Sequence, residues 1–289
     1  MKILVIGSGF LGTSIVQRLE SEGHDLLIFS RKQNERIHSR QVLGDFFNFE
    51  EFLKVLDWKP QVVIHTAWIT TPGVYKYDIS NFKYTAFTTR LTEVLAHSDV
   101  EHLIILGTCT EYGTYVGPIE PRFSKNPPST LYAQQKVITF NSVKELMQYS
   151  DVRFTWARVF NPYGRHQDPR RLIPFLIDSL KNGKPVVLAD TSSIYDWITS
   201  RDIASAISWI LNNDLPTEID VGTSLGFTNL EIFMTLQKLL DTRPHTASQG
   251  LHAFGLNEIF LADKNSTLFA TGWSPQDSLV GGLEWVLSQ

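Results

Sequence analysis

The chain has 289 residues, of which 43% are hydrophobic and 19% charged, a balance typical of a globular protein with a substantial core. Its formal net charge is −4 and it has no long basic run, which argues against nucleic acid as a main partner. The single cysteine, Cys109, excludes an intrachain disulfide and fits a reducing compartment. No apolar run reaches the roughly 18 residues of a membrane span, and residues 3–6 are too few for a signal-peptide core. We expect a soluble, cytoplasmic protein without a membrane partner.

The first motif is a glycine turn at residues 7–12. Residues 3–6 are continuously apolar and predict a strand buried on both faces of a parallel sheet. The glycines follow with dinucleotide-binding spacing, and a helix is expected over residues 13–20, whose first N–H groups would face a pyrophosphate. The alternative is a tight strand–helix turn that binds nothing. The residues expected to contact the cofactor here are Gly7, Gly9, Phe10, Leu11 and Gly12.

The second strand, Asp25–Ser30, runs into Arg31 and Lys32 with no Asp or Glu at its end. In NAD-preferring proteins an acidic side chain at this point takes the ribose 2′-hydroxyl. A basic pair favours a 2′-phosphate instead, so we predict NADP(H) over NAD(H). The alternative is that both side chains are solvated loop residues.

The next segments alternate strand and helix patterns and lead to a Gly-Thr pair at residues 107–108. Helices are expected over 49–56 and 81–96, and strands over 61–65 and 102–106, the last of which ends in Gly107-Thr108. Later strands and helices are expected over 152–159, 172–180, 185–188, 230–240 and 279–287.

Tyr132 and Lys136 stand four residues apart in a helical pattern over residues 130–149, so they share one face. A free Tyr hydroxyl has a pKa of about 10 and is a poor base at neutral pH. A nearby ammonium and an oxidised nicotinamide would both lower that pKa. Tyr132 would then exchange a proton with a carbonyl being reduced or an alcohol being oxidised. The pair could also be an exposed pair on an amphipathic helix, but the upstream motifs favour chemistry.

The order of these motifs, with Asn-Pro-Tyr-Gly at 161–164, resembles the extended short-chain dehydrogenase/reductases that modify nucleotide sugars. This resemblance covers nearly the whole chain. It implies an α/β fold, a doubly wound Rossmann parallel sheet with a smaller C-terminal α/β substrate lobe. Residues 1–160 with about 195–212 would form the NADP-binding domain, and about 161–194 with 213–289 the substrate lobe. Family members often form homodimers through a helical bundle that includes the Tyr132 helix.

The resemblance also assigns roles to individual residues. Thr108, five residues before Gly113, would hydrogen-bond the reacting oxygen of the substrate, and Lys136 would bond the nicotinamide ribose. The remaining cofactor contacts implied are Asp45 and Phe46 at the adenine, and Ala67 beside the cofactor. The implied substrate contacts are Thr108, Cys109, Thr110, Tyr132, Asn161, Arg171 and Tyr195.

Two departures from the family pattern bear on the reaction. The 4,6-dehydratases carry Asp-Glu directly after the catalytic Thr, whereas this chain has Cys109-Thr110 and so lacks the acid–base pair that water loss needs. A nucleophilic Cys109 is the alternative use of that position, although no His-based constellation accompanies it. The Arg that grips the diphosphate is Tyr195 here, so Arg171 or Arg243 would replace it, or the substrate differs. Asp202 is expected to cap the following helix.

The leading hypothesis is NADPH-dependent reduction of a nucleotide-activated 4-keto-6-deoxysugar, with Tyr132 as proton donor. A nucleotide-sugar 4-epimerase with tightly bound NAD(H) would use the same residues. A non-catalytic NADP(H)-sensing protein is a third hypothesis, and such proteins commonly lose the Tyr or the Lys. No His pair has metal-ligand spacing, so no metal is predicted.

Overall fold

The structure, a computed structural model, describes residues 1–113, 127–242, 258–265 and 268–289, and the backbone of 247–249. The larger sheet contains β1 (Lys2–Ile6), β2 (Asp25–Ser30), β3 (Arg40–Leu43), β4 (Val62–His65), β5 (His102–Thr108), β6 (Arg153–Val159) and β10 (Glu218–Val221). The smaller sheet contains β7 (Asn161–Tyr163), β9 (Ile194–Thr199), β11 (Gly226–Thr228) and β13 (Ile259–Phe260). A separate pair is formed by β8 (Val186–Leu188) and β12 (Ala247–Gln249).

Helices flank both sheets. They are α1 (Phe10–Ser21), α2 (Phe49–Leu56), α3 (Asn81–Leu95), α4 (Leu131–Met147), α5 (Leu172–Lys181), α6 (Ser200–Asn212), α7 (Asn229–Leu239) and α8 (Leu279–Leu287). Two 3-10 helices are Cys109–Tyr112 and Leu268–Thr271. Within the described ranges, no helix is both long and apolar enough to cross a membrane.

The seven strands of the larger sheet are parallel and follow the order β10-β6-β5-β4-β1-β2-β3. The chain leaves β1 in one direction to form β2 and β3, then returns to the other side of β1 for β4. Such a reversal opens a crevice at the carboxyl ends of the strands, where ligands bind in open α/β sheets. The predicted doubly wound Rossmann fold is therefore confirmed.

Two apolar layers cover the larger sheet because its strands are apolar on both faces. One layer joins β1, β2 and β5 to α1 and α6, and the other joins the same strands to α2, α3 and α4. A third core joins α5, α7 and α8 to the smaller sheet. The three layers together place the β5 end and the start of α4 beside each other.

Two segments lie across the expected division of the chain. Strand β10 falls within 213–289, yet it pairs in parallel with β6 in the larger sheet. Strand β9 falls largely within 195–212, yet it is the central strand of the smaller sheet and pairs with β7, β11 and β13.

The capping role expected of Asp202 belongs to Thr199, whose hydroxyl accepts the Asp202 N–H at 3.1 Å. The Asp202 carboxylate instead accepts the N–H groups of Gln276 and Asp277, at 2.9 and 3.1 Å. The expectation was wrong because Asp202 is the third residue of α6, where its side chain reaches a neighbouring loop.

Candidate active site

The glycine turn has the geometry of a cradle for a diphosphate. Gly7 has φ +103°, a conformation that favours glycine. A Cβ on Gly12 would lie 2.2 Å from the Gly7 carbonyl oxygen, so helix and strand could not approach as closely. A Cβ on Gly9 would meet nothing within 4 Å. Helix α1 starts at Phe10 with no side-chain cap and no acidic residue in its first turn, so its N–H groups suit an anion. The residues present therefore fit a nicotinamide dinucleotide.

A cavity of about 460 Å³ lies beside this turn, at the end of β2. Its lining is Ser8, Lys32, Gln33, Asn34, Glu35 and Arg36. The Asn34 side chain donates to the Ser8 carbonyl at 3.0 Å and so ties the loop after β2 to the glycine turn. Two of the lining side chains, Lys32 and Arg36, are exposed cations. Sequence reasoning missed Arg36, because only the fold shows that the loop returns beside the turn.

Arg31 does not line that cavity. Its guanidinium lies 5.5 Å from the centre of the Phe46 ring, and it hydrogen-bonds Tyr84. Phe46 is only 3% exposed and packs against Tyr84 and Phe87, so its ring belongs to the core. The exposed Asp45 carboxylate accepts the Phe47 N–H at 3.0 Å.

Ala67 lies directly against the glycine turn. A Cβ built on Gly7 would approach the Ala67 backbone to 3.0 Å. The residue after it, Trp68, donates its indole N–H to the Asn81 side chain at 2.8 Å. Asn81 in turn donates to the carbonyls of Tyr75 and Asp78, so it braces the segment before α3.

Thr108 and Tyr132 are brought together, as the sequence predicted they would need to be. Thr108 ends β5, Tyr132 is the second residue of α4, and their hydroxyl groups lie close enough for Thr108 to affect the pKa of Tyr132. The Tyr132 ring meets the Tyr75 ring edge-on with centroids 5.0 Å apart. Burial, and then Tyr75, raise the pKa of Tyr132, whereas the Thr108 hydroxyl lowers it. The net direction is opposite to the one expected from sequence, and it keeps the Tyr132 hydroxyl protonated.

Lys136 is 4% exposed and its Nζ donates to the Leu106 carbonyl at 2.6 Å. Its ammonium lies 3.9 Å from the centre of the Trp68 ring, a cation–π distance. Burial lowers the pKa of Lys136 to about 7, and the nearby Glu111 carboxylate opposes that change. Lys136 therefore loses its proton more readily than an exposed lysine does.

The 3-10 helix after β5 holds Thr108 through a reciprocal cap. The Thr108 N–H donates to the Glu111 carboxylate at 2.7 Å. The same carboxylate accepts the Trp156 indole N–H at 2.9 Å and the Arg158 guanidinium at 2.7 Å. A Cβ on Gly107 would lie 2.3 Å from the Trp156 indole nitrogen, so glycine is needed for this arrangement. The Thr-x-x-Glu spacing of a capping box could have identified Glu111 from sequence.

The two residues after Thr108 are poorly suited to dehydration or nucleophilic attack. Cys109 is 4% exposed, and burial together with the carboxylates of Asp196 and Asp220 raises the pKa of its thiol. A thiolate is the reactive form, so this environment disfavours a nucleophilic Cys109. The Thr110 hydroxyl lies 3.1 Å from that of Thr108.

Arg171 approaches the catalytic region from the side of the smaller sheet. Its guanidinium donates to the Thr70 carbonyl at 2.5 Å and lies 5.1 Å from the centre of the Tyr75 ring. Tyr75 is the ring that touches Tyr132, so Arg171 is one residue removed from Tyr132. The Asn161 amide donates to the Asp196 carbonyl at 3.3 Å.

Tyr195 occupies the position expected to hold a diphosphate-binding Arg. Its ring stacks on Phe260 with centroids 5.7 Å apart and an angle of 5° between the planes. Its hydroxyl donates to the Asp190 carboxylate at 2.8 Å. Arg243, the other candidate cation, lies outside the described residues.

The comparisons with known proteins agree with this architecture. A model of the NAD dependent epimerase/dehydratase family matches residues 3–222, most of the chain. The chain belongs to this family, and the predicted membership of the extended short-chain dehydrogenase/reductases is confirmed.

Individual relatives are distant but cover the chain from end to end. A putative UDP-glucose 4-epimerase of Methanocaldococcus jannaschii is 24% identical, over 100% of this chain and 97% of the relative. A CDP-abequose synthase of Salmonella muenchen is 23% identical, over 99% and 97%. The solved UDP-glucose 4-epimerase of Thermus thermophilus in complex with NAD is 22% identical, with a TM-score of 0.88 over 100% of this chain and 98% of that one. At this identity the solved structure supports the fold alone.

Proposed function

We propose that this protein reduces a nucleotide-linked 4-keto-6-deoxysugar with NADPH. The observation that carries the proposal is that the Thr108 and Tyr132 hydroxyls lie close together beside the buried Lys136, which assembles a proton donor, an orienting hydroxyl and a cation. When bound, the nicotinamide cofactor supplies the hydride. The protein's own groups then have to bind, orient and protonate the substrate.

Each catalytic side chain has a separate task in this scheme. Thr108 donates its hydroxyl hydrogen to the carbonyl oxygen and orients it. Tyr132, which burial keeps protonated, delivers a proton to that oxygen as it gains negative charge. Lys136 holds the ribose of the cofactor and stabilises the phenolate that Tyr132 leaves behind.

The nucleotide-sugar substrate class is supported by the relatives, which include UDP-glucose 4-epimerases and CDP-abequose synthases. Reduction rather than dehydration is supported by Cys109 and Thr110, which cannot act as an acid–base pair at neutral pH. Among the residues of the smaller sheet and its helices, Arg171 is the cation that we assign to the diphosphate. Asn161 would contact the sugar or the nucleotide through its amide, and Tyr195 would do so through its ring, since its hydroxyl donates to Asp190.

The preference for NADPH is supported by the cavity beside the glycine turn. Lys32 and Arg36 line it, and cations there suit a 2′-phosphate. We assign the diphosphate of the cofactor to the backbone of residues 7–12. We assign the adenine to the backbone at Asp45 and Phe46, since the Phe46 ring is buried in the core.

A nucleotide-sugar 4-epimerase is the second candidate. It is favoured by the names of the relatives, several of which are UDP-glucose 4-epimerases, and by solved neighbours that contain NAD. Such an enzyme would oxidise C4 and reduce it again from the other face with the same Tyr132 and Lys136. It would consume no cofactor.

We also propose a division of the chain that follows the sheets. The cofactor portion comprises residues 1–160, α6 and β10, and the substrate portion comprises the smaller sheet with α5, α7 and α8. Two copies of the chain would pair through α3 and α4, which carry the exposed apolar side chains Phe82 (52%) and Ile138 (48%). Light scattering after chromatography should report a dimer, and Phe82→Glu should shift it to monomer.

The function is tested by NADPH oxidation with dTDP-, UDP-, GDP- and CDP-linked 4-keto-6-deoxysugars, with NADH in parallel. Rapid oxidation with one of them, and faster with NADPH, is expected. Interconversion of C4 epimers without net oxidation, together with stoichiometric NAD released on denaturation, would support the epimerase. Binding of NADPH with neither reaction would support a sensing role.

A further inference from the structure

Glu111 is a buried carboxylate beside the catalytic groups that has no role in the proposed chemistry. Its side chain is 2% exposed. Its oxygens accept from the Thr108 N–H at 2.7 Å, the Trp156 indole at 2.9 Å and the Arg158 guanidinium at 2.7 Å. Three donors from two elements therefore fix the position of this charge.

Lys136 reaches the same end of β5. Its Nζ donates to the Leu106 carbonyl, two residues before Thr108. Gly107 lies between Leu106 and Thr108, and a Cβ built on it would lie 2.8 Å from a Glu111 carboxylate oxygen. The carboxylate thus packs against the backbone of residues 106–108. This stretch accepts a hydrogen bond from Lys136 at one end and carries Thr108 at the other.

We propose that Glu111 is a positioning residue that acts on two catalytic partners at once. Its carboxylate fixes Thr108 through the backbone N–H and serves as the buried counter-charge that faces the Lys136 ammonium. The catalytic role of Glu111 rests on the proposed function, whereas the position of its carboxylate does not depend on it.

Among the residues that the structure describes, the other titratable groups around Lys136 do not supply a negative charge. Burial lowers the pKa of His65, on β4, to about 3, so it is neutral. Burial raises the pKa of Tyr132, on the same helix, so its hydroxyl keeps its proton. Arg158, on β6, is a cation. Glu111 is the group that raises the pKa of Lys136 against the effect of burial.

Glu218 offers a matched control for Glu111. It is the second carboxylate on Arg158, 3.0 Å from the guanidinium, and it also pairs with Lys144 at 2.7 Å. Replacing either glutamate by glutamine removes one negative charge beside Arg158. Of these two glutamates, only Glu111 accepts the Thr108 N–H.

The test follows the ionisation of Lys136 by NMR in the full-length protein labelled with lysine that carries ¹³C at Cε. The resonance is assigned by its loss in Lys136→Met. The wild-type midpoint is expected near pH 7. Glu111→Gln should lower it by about 1 pH unit or more, and Glu218→Gln should leave it within about 0.3. An unchanged midpoint in Glu111→Gln, or an equal shift in Glu218→Gln, would overturn the proposal that Glu111 is the counter-charge of Lys136.

A second variant covers the case in which Glu111→Gln does not fold, because that change leaves Arg158 with one buried partner fewer. Glu111→Asp keeps the charge but withdraws it by one methylene. Lys136 should then titrate close to wild type, while the Thr108 amide should exchange its hydrogen about tenfold faster or more. Wild-type exchange at Thr108, or a Lys136 midpoint lowered by about 1 unit or more, would overturn the proposal. None of these readouts uses a substrate, so the outcome is independent of whether the proposed reductase reaction is found.

Discussion

The carboxyl end of β5 and the strand β9 both match family motifs, yet they use their polar groups differently. At the β5 end the Glu111 carboxylate accepts the Thr108 N–H, and the Thr108 hydroxyl lies near that of Tyr132. At β9, Asp196 is fully buried and accepts the backbone N–H groups of Thr223 and Ser224 at 2.7 and 2.8 Å. The first region supports groups that can react, and the second holds the loop between β10 and β11 in place.

A residue that matches a family motif can therefore serve either ligand binding or the stability of the fold. Where the matched residue is anchored through its backbone N–H, as Thr108 is, its hydroxyl contacts the hydroxyl and the backbone N–H of Thr110, and it can still bond a substrate. Where the matched side chain is itself the acceptor of several buried donors, as Asp196 is, it has no capacity left for a ligand. We therefore expect substitutions at the β5 end to change turnover and substitutions in β9 to change stability.

The largest effect is expected from Tyr132→Phe. The change removes the proton donor and leaves the ring packing against Tyr75 intact, so kcat should fall about 10³-fold while the protein remains folded. Steady-state kinetics with the accepted keto sugar, and circular dichroism for the fold, are the measurements. Tyr75→Phe is the matched control, since it removes a neighbouring hydroxyl and should retain kcat within a few-fold. Full turnover by Tyr132→Phe would show that the β5 end does not carry the chemistry.

Asp196→Ala tests the other side of the comparison. The buried carboxylate accepts from Thr223 N–H and Oγ, Ser224 N–H and Ala262 N–H, and alanine would leave these donors without their partner. The free energy of unfolding should fall by about 3 kcal/mol. Urea denaturation measures it, and kcat of the folded fraction should stay near wild type. A large loss of kcat without a loss of stability would assign Asp196 to the active site.

The fold was predicted best where the pattern was long. The bounds of Asp25–Ser30, Phe49–Leu56 and Leu279–Leu287 agree with the structure residue for residue. The strands of the smaller sheet, such as Asn161–Tyr163 and Ile259–Phe260, were not predicted. Strands of two or three residues have no period to detect, and their partners are distant in sequence.

In the candidate site, sequence predicted which groups would meet but not how their charges would behave. The proximity of Thr108 and Tyr132 was implied by the family resemblance. The pKa of Tyr132 was expected to be lowered by Lys136, but the Lys136 ammonium is bonded to the Leu106 carbonyl and burial dominates. The degree of burial and the direction of a long side chain depend on packing between elements, which a linear motif does not contain.

The cavity beside the glycine turn allows a smaller, more selective perturbation of the cofactor side. Lys32→Ala combined with Arg36→Ala should raise the KM for NADPH about 10- to 100-fold, because two charge-assisted contacts to the 2′-phosphate are lost. The KM for NADH should change little. Arg31→Ala is the control for loss of a nearby cation outside the cavity, since Arg31 lies over Phe46. Equal losses for both cofactors would show that the cavity does not recognise the 2′-phosphate.

The smallest effect is expected from Tyr195→Phe, which sharpens the comparison within β9. Burial and Asp190 raise the pKa of Tyr195, so its hydroxyl is a neutral donor to that carboxylate at physiological pH. The change removes one partly buried hydrogen bond and keeps the ring stacked on Phe260, so the unfolding free energy should fall by about 1 kcal/mol. The KM for the nucleotide sugar should stay within about threefold, which is less than the loss of one hydrogen bond to substrate would cause. A rise of about tenfold or more with unchanged stability would mean that the Tyr195 hydroxyl binds the substrate, and β9 would then carry recognition as well as structure.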